Sequence, residues 1–151
     1  MKIIPFNPKY AKDFYELNIE WLETHFYVED FDREVLSKPE KYILKPGGHI
    51  FFAIENETVL GTVALLKRGK KEFELTKMAV LPKQRGKKIG QKLMQHCIDF
   101  AKQNDFKKLF LYSNTKLENA IYIYRKFGFV EVKQEVDVPY ERSNIKMVYP
   151  L

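Results

Sequence analysis

Only one cysteine, Cys97, stands among the 151 residues. No internal disulfide can form, and a reducing cytoplasm is the expected setting. The longest purely apolar run in the first half is Ile50–Ile54, "IFFAI", far short of the roughly 20 residues of a membrane-spanning helix. The opening "MKIIPFNPKYAKDF" has no apolar core of a secretory signal. No internal repeat, low-complexity tract or Pro/Gly/Ser-rich linker interrupts the chain, so a single domain over residues 1–151 is expected. His25, His49 and His96 show no metal-ligand spacing, and no metal is expected. Neither the nucleotide P-loop pattern G-x-x-x-x-G-K-[ST] nor the dinucleotide pattern G-x-G-x-x-G occurs.

What is present is a hydrophobic fraction of 45% with 30% charged residues, the balance of a globular domain that buries a core. A net charge of +6 makes an anionic partner plausible. The lysines are spread along the chain and form no recognised nucleic-acid module, which makes nucleic-acid binding the weakest reading of that charge.

Periodicity supplies the element order. Lys2–Phe6 reads as a strand. Tyr10, Phe14, Leu17 and Trp21 mark an amphipathic helix from Pro8 to about Glu23, with Asn7 placed to cap it. A short helical piece covers Asp32–Ser37. "HIFFAIE" and "TVLGTVALLK" flank Asn56–Glu57 as a hairpin, and "EFELTKMAVL" follows the "RGKK" turn. Ile89, Leu93, Cys97 and Ala101 fall at four-residue intervals, giving a helix to about Gln103. Lys107–Ser113 is a strand. Leu117, Ala120, Ile121 and Tyr124 mark a helix stopped by Gly128, and two strands close the chain. The order implies an α+β class, or α/β with a mixed sheet and helices on both sides. Cys97 falls on the apolar helix face, the place of a small core residue.

The stretch "MAVLPKQRGKKIGQKL" (Met78–Leu93) passes from a strand into a helix through a turn crowded with Arg85, Gly86, Lys87, Lys88 and Gly90. The first N–H groups of a helix lack internal partners, and the helix dipole adds positive potential there. Glycine lets an anion approach the backbone. The turn is therefore suited to a pyrophosphate, with a solvated basic turn as the plain alternative.

The same stretch resembles the acyl-CoA signature [RQ]-x-x-G-x-[GA] of the GNAT superfamily of N-acyltransferases, read as Arg85-Gly86-Lys87-Lys88-Ile89-Gly90. It departs from it in having Lys88 where glycine is usual. "LTKMAVLP" looks like that family's central strand. "ENAIYIYRKFGF" (Glu118–Phe129) looks like its N-A-x-x-x-Y-x-K-x-G-F helix, and the element order matches across nearly the whole chain. The resemblance implies a mostly antiparallel central sheet with one parallel pair. It also implies acetyl-CoA as co-substrate and direct attack by an amine in a ternary complex, with no acyl-enzyme.

Acyl transfer to an amine needs the amine deprotonated, a donor for the developing oxyanion and a hydrogen bond or proton for the departing thiolate. Glu74 on the central strand is the candidate base. Strand alternation places Glu74, Thr76, Met78 and Val80 on one side. Pairing with a neighbouring lysine is the alternative for Glu74. Tyr124 matches the tyrosine of the helix motif, which the resemblance makes the acid toward sulfur; on composition alone it reads as core. By resemblance Asn119 bonds the pantetheine arm, where the alternative is a helix cap. The main chain of Met78, Ala79 and Val80 is expected to pair with the pantetheine amides as an added strand does.

The acceptor pocket of the family lies among the first helices and the segment between the last two strands. Here Trp21, Phe26, Tyr27 and Tyr140 are candidate walls and Glu20, Glu29, Asp30 and Asp32 candidate attractors of a cationic amine. Arg142 is a candidate holder of an acceptor carboxylate. Each also fits core packing or a surface ion pair. The favoured function is acetyl transfer to a small amine or amino-acid-like acceptor by a monomer or homodimer. A non-catalytic CoA- or anion-binding module is the second reading.

Overall fold

Asn7 begins the helical half of the N-terminal region. Its side chain accepts a hydrogen bond from the Lys9 N–H at 3.0 Å, and Pro8 opens a single 3-10 turn over Pro8–Tyr10. The computed structural model describes all residues from Met1 to Leu151. After strand β1 (Lys2–Pro5) and that turn come helices α1 (Ala11–His25) and α2 (Asp30–Ser37). A π-helical turn over Glu40–Leu44, which the periodicity did not indicate, buries Ile43. Strands β2 (His49–Glu55), β3 (Thr58–Gly69) and β4 (Glu72–Val80) follow, then α3 (Ile89–Gln103), β5 (Lys108–Ser113), α4 (Glu118–Phe127), β6 (Val130–Val132) and β7 (Ile145–Tyr149). The sheet order is β1-β2-β3-β4-β5-β7-β6. Every neighbouring pair is antiparallel except β4 and β5, the mixed sheet expected from the sequence.

Alternation along the strands sends side chains to two cores. Phe51, Ala53, Val63, Leu65, Phe73 and Leu75 meet Leu93, Met94, Cys97 and Ala101 of α3, and Ile121, Ile123 and Phe127 of α4 pack against the same cluster. Phe52, Ile54, Ala64 and Ala79 meet Phe14, Leu17, Val35 and Leu36 beneath α1 and α2. Gly61 lets α3 lie close on β3: a Cβ there would stand 3.2 Å from Ile89 and from Leu93.

Two irregularities of β4 prepare the site. Thr62 pairs with Ala79 while Ala64 pairs with Thr76, so Val63 alone faces both Lys77 and Met78. This is a β-bulge, with Lys77 at φ 53°. The bulge overturns the expected side-sharing. Glu74 and Thr76 stay on the α1 side of the sheet, whereas Met78 and Val80 join the core beneath α3. The second irregularity is the short parallel pairing. β4 and β5 bond only from Glu72–Lys108 to Glu74–Phe110, although β4 continues along β3 to Val80 and β5 along β7 to Ser113. Beyond Glu74 the strands part.

Candidate active site

A cavity of about 210 Å³ fills the parting. Its walls are Leu75–Met78 from β4 and Leu111–Asn114 from β5 and its C-terminal end. Leu117, Ala120 and Tyr124 come from α4 and its approach, and Trp21 and Phe26 from α1 and its end. Tyr140, Arg142 and Ser143 close it from the long segment between β6 and β7. Crevices at the carboxyl ends of parallel strands are recurrent ligand sites, because the loops that follow diverge there.

At the outer end of β4 lies the glycine turn. Pro82–Gln84 forms a 3-10 turn. Gly86 then takes φ +87°, and a Cβ built there would meet nothing within 4 Å, so the backbone is open to a close approach. Lys88 occupies the N-cap of α3 at φ 63° and ψ 21°, the left-handed conformation that glycine adopts without strain. None of the main-chain N–H groups from Gly86 to Gln91 donates to a main-chain acceptor in a turn, loop or cap; the first such bond is Lys92 to Lys88 at 3.0 Å. Lys87 and Lys88 are exposed, whereas Ile89 is buried. A Cβ on Gly90 would lie 4.0 Å from the tip of Met78, which lines the cavity, so turn and cavity are contiguous. These groups fit a diphosphate: open N–H donors, a helix dipole and two free cations. Arg85 faces elsewhere, in an ion pair with Glu20 of α1 at 2.6 Å.

Tyr124 stands in the cavity wall with its ring 6.1 Å from that of Phe129. Burial pushes its phenol up to about 12, so the hydroxyl keeps its proton and serves as a donor. Asn119, one turn earlier, is exposed and lies outside the cavity lining.

Glu74 is 1% exposed, with both carboxylate oxygens engaged. Oε1 accepts from Arg68 Nε at 2.8 Å, with a second guanidinium nitrogen in ion-pair contact at 2.7 Å, and Oε2 accepts from the Tyr140 hydroxyl at 2.8 Å. Burial, and then the neighbouring Glu74 charge, push the Tyr140 phenol up. Glu74 itself does not line the cavity; Tyr140 stands between them.

Of the candidate acceptor residues, Trp21, Phe26, Tyr140 and Arg142 line the cavity. Tyr27 is 60% exposed and lies outside it. The Arg142 guanidinium donates in two-pronged fashion to Asp32 at 3.0 and 3.3 Å, with Glu29 at 3.5 Å. The acidic candidates are thus largely engaged: Glu20 by Arg85, and Glu29 and Asp32 by Arg142. Lys77, which the sequence reading left unassigned, also lines the cavity. Its signal was a lone cation next to the apolar run Met78–Leu81.

The sequence model of the Acetyltransferase (GNAT) family matches residues 12–129. The chain belongs to the GNAT acetyltransferase family. It is 32% identical over 112 residues to a probable N-acetyltransferase, camello, of Xenopus laevis, a match covering 72% of this chain and 51% of that protein. The chain spans about half the length of the curated relatives it matches. A GNAT-family acetyltransferase from Staphylococcus aureus Mu50 has the same fold, with a TM-score of 0.86 at 26% identity, over 98% of this chain and 97% of that one. The PaiA N-acetyltransferase of Thermoplasma acidophilum, solved in complex with coenzyme A, shares the fold with a TM-score of 0.78 at 20% identity, each chain covered fully at 100%. No helix of this GNAT chain is long and apolar enough to cross a membrane.

Proposed function

We propose that the chain transfers the acetyl group of acetyl-CoA to an amine held in the cavity, by direct attack in a ternary complex. The observation that carries this reading is the parting of β4 from β5. It opens a cavity, lined by Tyr124, along the carboxyl half of β4, the same end of the strand that runs into unpartnered N–H groups. Gly86–Gly90 and the cations of Lys87 and Lys88 would take the diphosphate, and the main chain of Met78–Val80 the pantetheine arm. Arg85 is held by Glu20 of α1, and Asn119, exposed in the first turn of α4, is the further side chain proposed for the arm. The fold relative PaiA was solved with coenzyme A, which supports the same co-substrate here. A reducing cytoplasm suits the single buried Cys97.

Bound acetyl-CoA supplies an activated acyl carbon and a thiolate leaving group. The amine nitrogen bonds to that carbon, the C–S bond breaks and the amine proton passes to solvent. Tyr124 donates a hydrogen bond to the departing sulfur. With its phenol raised to about 12, it stabilises a thiolate by hydrogen bonding more readily than by full proton transfer. Glu74, with both oxygens taken, fixes Tyr140 and Arg68 and so acts as a positioning residue. Below the acceptor's own pKa, kcat/KM should then rise about tenfold per pH unit. A thiol-release assay across small amines and amino acids tests the reading. Acetyl-CoA turnover dependent on an added amine is expected. Tight CoA binding with no turnover of any amine would favour a non-catalytic CoA-binding module.

A further inference from the structure

Three charged side chains line the cavity: Asp32, Lys77 and Arg142. Two of them cancel. Arg142 and Asp32 hold each other through two hydrogen bonds, with Glu29 behind. Lys77 makes no hydrogen bond and no ion pair, although Glu74 on its own strand is bonded to Arg68 and Tyr140. Every wholly enclosed side-chain nitrogen or oxygen in the protein has a partner, so the unpartnered ammonium is open to the cavity. It stands 5.7 Å from the centre of the Tyr140 ring.

The backbone is bent to put it there. In a regular strand Lys77 would follow Phe73 and Leu75 into the core beneath α3. The bulge and the positive φ at Lys77 instead bring it to the cavity wall. A left-handed non-glycine backbone is strained, and such strain concentrates at functional positions.

We infer that Lys77 is the acceptor-recognition residue of this site and binds a carboxylate, so that the acceptor is an amine whose own skeleton carries an acid group. This deepens the proposed transferase function and rests on it. A polyamine would meet an unpartnered cation and no free carboxylate, because Asp32 is neutralised and Glu74 is sealed. An amino acid would place its carboxylate on Lys77 and its apolar side chain against Trp21 and Phe26, leaving the amine toward Tyr124. The groups facing Lys77 are Glu74 on β4, Arg68 on β3, Asp32 on α2, and Tyr140 and Arg142 from the segment before β7. Burial, ahead of the two arginines, brings its ammonium down to about 8. It is therefore a cation at neutral pH and loses its charge in mildly alkaline solution.

The test is thiol release with matched acceptors: amino acids, their carboxamides, and simple diamines. Wild type should prefer acid over amide by about 10- to 100-fold in kcat/KM, the contribution of a charge-assisted hydrogen bond. The amide's less basic amine biases the chemistry the other way. Lys77→Met should collapse that ratio toward one, and Lys77→Arg should keep part of it. Should Lys77→Met fail to fold, the wild-type ratio alone decides, and it should decline above about pH 8. Amides or diamines turned over as well as acids, or a preference surviving in Lys77→Met, would overturn the assignment while leaving the transferase intact. No turnover of any set, with acetyl-CoA still bound, would remove the transferase reading and this one with it.

Discussion

Glu74→Gln separates two roles for a carboxylate at the heart of the sheet. In the wild type Oε1 accepts from Arg68 and Oε2 from Tyr140. Glutamine can keep both contacts, its oxygen toward Arg68 and its N–H toward the Tyr140 oxygen, while the charge is lost. Removing one partner of a fully buried ion pair costs about 3–5 kcal/mol. The Arg68 side chain is 36% exposed, so solvent screens part of that loss and about 2 kcal/mol is expected. In a domain of this size that lowers the melting temperature by about 4–8 °C. As a positioning residue Glu74 should lose no more than about tenfold in kcat at 25 °C on this change, whereas a proton acceptor should lose about 100- to 10,000-fold. Calorimetric melting and steady-state kinetics on the same preparation measure both. A loss above 100-fold in kcat with an unchanged melting temperature would refute the positioning role and restore Glu74 as the base.

Gly86→Glu should weaken acetyl-CoA binding at least tenfold by titration calorimetry. Gly86→Ala, which shares the strain of φ +87° but not the charge, should lose less; equal losses would mean that charge beside the turn is irrelevant. Tyr124→Phe should lower kcat by about 10- to 100-fold with acetyl-CoA affinity nearly intact. Equal turnover would make Tyr124 a packing residue. Lys77→Met should raise stability at pH 7 by about 2 kcal/mol, because the folded state lowers that ammonium to about 8 from 10.5 and so penalises the charged form. The unfolded chain binds the extra proton between those values. The gain should therefore be full below about pH 8 and fade as pH rises toward 10.5. Denaturant melts across that window check the sign.

The architecture was legible wherever one strand or helix carried its own pattern. Ile89, Leu93, Cys97 and Ala101 mark α3, and all four are buried against the sheet. Asn56 and Glu57 take φ 50° and 63°, as the two central residues of a tight hairpin turn must. Boundaries shifted inside polar stretches, where residue type does not say which polar position ends an element: β3 runs through Arg68 to Gly69, α2 begins at Asp30, and β6 ends at Val132. The bulge at Lys77 could not be read, because one inserted residue leaves "ELTKMAV" consistent with either register. Side-chain partners distant in sequence were equally hidden. Tyr140 reaches Glu74 across 66 positions, Arg85 reaches Glu20 across 65, and Arg142 reaches Asp32 across 110. Such pairings exist only once the sheet has assembled. They engaged three candidate ligand-binding side chains, Tyr140, Arg85 and Arg142, and left Lys77 in the cavity lining with no hydrogen bond or ion pair, only the Tyr140 ring at 5.7 Å.

The central claim is that the main-chain N–H groups from Gly86 to Gln91 receive the diphosphate of acetyl-CoA while the parted strand β4 receives its arm. Amide-resolved NMR during a titration with acetyl-CoA addresses it directly. Saturable shifts should concentrate at Gly86–Gln91 and at Met78–Val80, with exchange protection at the same amides. Shifts confined to other parts of the surface, or none at saturating acetyl-CoA, would contradict it.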